Sequence, residues 1–161
     1  MEVDSASGIP VLLVYDIDPS WTTTEREDAH RGSRRLGLAV RRQGHSVSFL
    51  PVCNSDSLSA LSQYEPRDVL VFNWCESVPG VERSEVTVAE TLERLRFTYT
   101  GASPDALELS YEKAQVKRLL ETRGVPTPRW KIVTSPKESG WDCFPAIVKP
   151  AREHCSFGVD P

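Results

Sequence analysis

From the N-terminus the chain alternates between short continuous apolar runs and longer stretches with helical spacing. "IPVLLVYD", residues 9–16, is apolar at almost every position and rich in valine and leucine, as a strand covered on both faces requires. After a polar loop, "EREDAHRGSRRLGLAVRRQG" predicts a helix. Its early acids and late arginines suit the helix dipole, and Gly44 stands where it would end. "HSVSFLPV" predicts a second strand, "SDSLSALSQY" a short helix, and "DVLVFNW" a third buried strand. "SEVTVAETLERLR" sets Val88, Thr91, Leu92 and Leu95 along one helical face behind Ser84 as a cap. "FTYTG" then predicts a short strand that breaks at Gly101.

The character changes near Ser103–Asp105, where a domain boundary is placed. "SYEKAQVKRLLETRG" predicts a helix capped by Ser110 and closed by Gly124, with Val116, Leu119 and Leu120 as its apolar patch. Two prolines in "VPTP" force an extended exit. "RWKIV" and "PAIVK" predict two more strands, and the apolar run before Lys149 implies that this lysine is buried. No internal repeat or low-complexity tract interrupts the pattern.

Strand–helix alternation calls for an α/β fold with a parallel sheet and helices on both faces. Two common versions fail at once. A dinucleotide-binding domain needs G-x-G-x-x-G after its first strand, and the turn here, "DIDPSWTTTE", has no glycine. A phospho-receiver domain should end its third strand in an aspartate, and this run has Asn73.

Composition narrows the class further. With 161 residues, 39% hydrophobic and 26% charged, the chain has the make-up of one soluble domain, or of one domain plus part of another. No apolar run approaches the roughly 20 residues that span a bilayer. The acidic N-terminus lacks the basic flank of a signal peptide, so a cytoplasmic location is expected, without membrane partners. A net charge of −4 argues against a nucleic-acid partner. Residues 1–109 carry 10 basic and 17 acidic side chains, whereas residues 110–161 carry 9 and 6. That asymmetry is either ordinary surface variation or a C-terminal part facing an anion such as a nucleotide phosphate. Cys53, Cys75, Cys143 and Cys155 lack C-x-x-C pairing and read as reduced thiols, and His154 beside Cys155 is not a zinc pattern.

Four collinear pieces carry a resemblance: "ETLERLRFTYTGASPDAL", "LSYEKAQVKRLLETRGVPTPRW", "FPAIVKP" and "REHCSFGV". Together they resemble the D-alanine–D-alanine ligases and their relatives in the ATP-grasp superfamily, over nearly the whole stretch from Val71 to Gly158. "VFNWCESVPG" is similar to a ligase-like branch with Asn-x-Cys-Glu at this point. The resemblance implies a parallel-sheet, Rossmann-like pre-ATP-grasp domain over residues 1–103. It also implies the beginning of an ATP-grasp domain over 104–161, truncated after the phosphate loop.

By motif match, Lys113 and Lys149 would bind ATP phosphates, for which a compact ammonium is suited. Lys113 also reads as an ordinary exposed helical lysine. Ser156 and the backbone around it would cradle the transferring phosphate, with Gly158 supplying flexibility. Cys155 stands where the family usually has serine and His154 where it usually has glycine. A thiol is the weaker hydrogen-bond partner. Glu25, at a helix start, would match the glutamate that contacts the ammonium of the first amino acid; it also reads as a simple stabiliser of the helix N-terminus.

Catalytic candidates are therefore Glu25 and Cys155, and nucleotide-binding candidates are Lys113, Lys149 and Ser156. The implied activity is carboxylate–amine ligation through an acyl phosphate, with ATP, Mg2+ and small amino acids. The metal ligands are expected downstream of the phosphate loop. The 161 residues alone are expected to be inactive, with a homodimer or a complementing C-terminal half as partner. The alternative is a non-catalytic binding or assembly module.

Overall fold

The computed structural model describes residues 8–135, 137 and 140–152. They fall into two compact units divided between Pro104 and Asp105.

The first unit is built on four strands: β1 (Val11–Asp16), β2 (Val47–Val52), β3 (Leu70–Trp74) and β4 (Thr98–Tyr99). They form one sheet in the order β2-β1-β3-β4, and every pairing is parallel. Val11 is in register with Val47 on one side and Leu70 on the other, so β1 is fully enclosed. Residues of a strand alternate between faces, and β1 supplies both cores. Leu12 and Val14 join Leu50, Val52, Leu58, Leu61, Val71, Val88 and Leu92 on one face. Val11, Leu13, Tyr15 and Ile17 join Val47 on the other. The unbroken apolar run has this cause: no face of β1 meets water. Each leucine or valine so buried stabilises the fold by about 1.5–3 kcal/mol.

Helix α1 (Thr23–Arg42) covers the second face through Ala29, Leu36 and Val40. Thr22 and Glu25 close its start as a reciprocal capping box, and Gly44 with φ of 90° turns the chain away from its end. Gly37 is needed for closeness: a Cβ there would stand 2.4 Å from the Phe49 ring. The first face is covered by a 3-10 helix (Ser55–Gln63), through Leu58 and Leu61, and by α2 (Glu85–Arg94). Ser84 precedes α2 but makes no side-chain cap. Its hydroxyl accepts the Val78 N–H at 2.6 Å and lies 3.3 Å from the Val78 carbonyl, so a loop claims it instead.

The second unit departs further from expectation. The single helix expected from residue 110 is two, α3 (Pro104–Tyr111) and α4 (Lys113–Thr122). Ser110 lies inside α3, and its hydroxyl donates to the Leu107 carbonyl at 2.6 Å, so it is not a cap. Gly124, with φ of 66°, does end α4. Among the described residues, neither 129–133 nor 145–149 belongs to a strand. Apolar content alone does not make a strand; the backbone donors and acceptors must find a ladder. This segment is held instead by side chains. Lys117 Nζ donates to Thr127 Oγ1 at 2.5 Å, Trp130 Nε1 to Glu121 at 2.7 Å, and Arg118 and Arg129 lie over Trp130 and Trp141.

Candidate functional site

In an open parallel sheet, ligands bind beyond the carboxyl ends of strands where successive connections leave in opposite directions. Here that point lies between β1 and β3, since the chain passes from β1 to β2 on one side and then to β3 on the other. Asp16 ends β1 and ties the two loops together. One carboxylate oxygen accepts the Glu76 N–H at 3.0 Å and the other the Ser77 hydroxyl at 3.0 Å. The loop after β3 is pinned further, since Asn73 Oδ1 accepts the Cys75 N–H at 3.3 Å and the Cys75 thiol contacts the Ser77 carbonyl at 3.1 Å. Thr100 Oγ1 accepts the Asn73 N–H at 3.1 Å, extending the network to the end of β4. Burial pushes the Cys75 thiol up to about 12, and the Asp16 carboxylate adds to the shift, so this thiol is inert at neutral pH.

Glu25 sits in the first turn of α1. Its Oε2 accepts both the Thr22 N–H and the Thr22 hydroxyl at 2.7 Å, while Thr22 Oγ1 accepts the Glu25 N–H at 3.3 Å. The Thr22 hydroxyl, and then its N–H, hold the Glu25 carboxyl below its ordinary range. The capping role is thus present in the geometry. Lys113 opens α4, and its backbone N–H reaches the Ala151 carbonyl at 3.4 Å, two residues beyond Lys149. Beside them, Arg152 Nε pairs with Glu112 Oε1 at 3.0 Å. The start of α4 and the segment that follows Lys149 therefore lie together. Lys149 itself is exposed, and the apolar run before it is no core: Ile147 is 72% and Val148 87% exposed. The expected burial of Lys149 is corrected on that ground, because its run covers nothing among the described residues. Cys155 and Ser156, like His154 and Gly158, lie outside the described residues.

No family model matches the chain. Individual relatives do. A D-alanine–D-alanine ligase of Paracidovorax citrulli is 36% identical over 163 aligned positions, covering 99% of this chain and 45% of that protein. A D-alanine–D-alanine ligase of Aquifex aeolicus is 30% identical over 140, covering 85% of this chain and 46% of the relative. One of Verminephrobacter eiseniae reaches 40% over 84, half of this chain and a quarter of the relative. The chain belongs to the D-alanine–D-alanine ligase-like family. It spans less than half the length of these relatives.

Within this D-alanine–D-alanine ligase-like chain, the residue that sequence reasoning missed is Asp16. The available signal was an acidic side chain closing an otherwise apolar strand, at the end where such folds bind ligands. Among the described residues no group of three histidine, cysteine or acidic side chains is placed to hold a metal ion. No helix among them is long and apolar enough to cross a membrane.

Proposed function

We propose that the chain is the N-terminal part of an ATP-dependent, cytoplasmic carboxylate–amine ligase of the ATP-grasp type. Residues up to 103 would form its pre-ATP-grasp domain, and those from 104 the start of the nucleotide-binding domain. One carboxylate attacks the terminal phosphorus of ATP and ADP leaves. The amine of a second amino acid then attacks the acyl carbon, losing a proton, and inorganic phosphate departs. Ligation of D-alanine to D-alanine is the leading substrate assignment, supported by the names of relatives that align with most of this chain.

In this reading Lys113 and Lys149 neutralise phosphate charge, Ser156 supports the phosphate loop, Cys155 stands in that loop, and Glu25 receives the first ammonium. The Lys113 N–H to Ala151 carbonyl contact supports the lysine pairing, since it brings both backbones to one place. Positioned charge of this kind supplies much of the rate in phosphoryl transfer. Among the described residues no group of three acidic, histidine or cysteine side chains is placed to hold magnesium, whose ligands the family resemblance puts downstream of the phosphate loop.

Kinetics of the protein in its complete form test the proposal. Lys149→Ala should lower D-alanine-dependent ADP formation by roughly 100- to 1,000-fold, as loss of a charge-stabilising donor does. Wild-type turnover would remove Lys149 from the site. The 161 residues alone should form no dipeptide, and dipeptide formation by them would contradict this.

One observation favours a second reading, an assembly module or one half of a split ligase. Phe144, Ile147 and Val148 are 77%, 72% and 87% exposed, an apolar run of the kind that marks an association surface. Sedimentation of the purified chain, alone and with a separately expressed second half, separates a homodimer from a complemented ligase.

A further inference from the structure

The solvent-facing side of α1 carries an open groove of about 480 Å³, lined by Glu27, His30, Arg31, Arg34, Arg35 and Leu38. We propose that this groove binds a small multivalent oxyanion of the phosphate class, in the size range of a diphosphate.

Three guanidinium groups and an imidazole face one carboxylate there. Arg31 is tied to Asp28, but among the described residues no carboxylate pairs with Arg34 or Arg35. Planar guanidinium groups bind phosphate oxygens in pairs of parallel hydrogen bonds, so two uncommitted ones on adjacent residues suit a polyvalent anion. The histidine is held ready. Tyr15, buried on β1, places its hydroxyl 3.0 Å from His30 Nδ1, and the two rings meet edge to face at 5.8 Å and 78°.

Burial raises the Tyr15 phenol, with Arg34 opposing, so the hydroxyl keeps its proton, and its hydrogen bond with Nδ1 fixes the position of the ring. The ring so held lines the groove beside the arginines. Half-exposed Leu38, at 51%, gives the groove an apolar wall against which a ligand's carbon frame can rest. The net acidity of residues 1–109, 17 acidic against 10 basic side chains, disfavours a nucleic acid, whose many phosphates would extend beyond the groove. None of the residues lining this groove is among those assigned to ligation.

Titration of the isotopically labelled chain with inorganic pyrophosphate, followed by NMR at fixed ionic strength, tests it, with sulfate and succinate as parallel arms. Saturable shifts centred on His30, Arg34 and Arg35 are expected, with pyrophosphate binding more tightly than sulfate or succinate. Arg34→Gln with Arg35→Gln should weaken binding at least about tenfold, since each removes charge-assisted bonds; glutamine keeps good helix propensity, so α1 should persist. Glu27→Gln should tighten binding, a gain that misfolding does not produce, and Arg67→Gln, at an exposed arginine away from the groove, should leave it unchanged. Linear, unsaturable shifts, or an equal response in the double variant, would reduce the groove to a solvated helix face and overturn the proposal. Saturable shifts confined to residues outside α1 would place the anion elsewhere and overturn it equally.

Discussion

Single residues in this chain matter most where packing or hydrogen bonding leaves no alternative. Gly37 is one such place. An alanine methyl would enter the Phe49 ring, and forcing extra volume into a packed contact costs about 1–3 kcal/mol. Gly37→Ala should therefore lower the denaturant midpoint, whereas Gly32→Ala, whose methyl would meet Trp74 at an ordinary 3.9 Å, should not. Ser84 is another: alanine leaves the Val78 N–H without its 2.6 Å acceptor, a loss of about 1–3 kcal/mol for a buried donor.

Glu25 gives a pH signature. Its carboxyl is held below the ordinary range in the folded chain, so its contribution to stability is full above the unfolded carboxyl's pKa and is lost as pH falls through the folded one. Urea melts between neutral and acidic pH should show that acid-side loss diminished in Glu25→Gln; an unchanged profile would remove the capping interaction. Cys75, with its thiol pushed up to about 12, should resist iodoacetamide at pH 8 until the chain is denatured.

At the scale of elements, legibility followed how local the cause was. The strands β1 and β3 were readable because burial on both faces leaves an unbroken apolar run. The ends of α1 and α4 were readable because Gly44 and Gly124 adopt positive φ where a helix must turn. What failed depended on partners outside the motif itself. Ser84 had the right type for a cap, but a carbonyl and an N–H of the preceding loop occupy it. Residues 145–149 had strand composition, but strand character needs a ladder, and none is present among the described residues. The Asp16 clamp joins residues 60 and 61 positions apart, a link no short motif encodes. Of the proposed ligase residues, Lys149 rests on motif similarity and on an expected burial; its exposure removes the second ground and leaves motif similarity and the Ala151 contact as its support. Val148→Lys should therefore change the stability of this chain by no more than about 0.5 kcal/mol, as surface substitutions do; a larger loss in thermal melts would show that the run is covered.

For the whole molecule, the sheet and its two cores account for the first unit, and the side-chain contacts along residues 117–142 for much of the second. The proposed chemistry depends on the second unit's lysines meeting a nucleotide. Lysine-selective acylation of the chain, mapped by mass spectrometry with and without millimolar ATP, reads that directly. The account predicts that ATP protects Lys113 and Lys149 together while Lys131 and Lys137 react as before; equal labelling of all four in both conditions would contradict it.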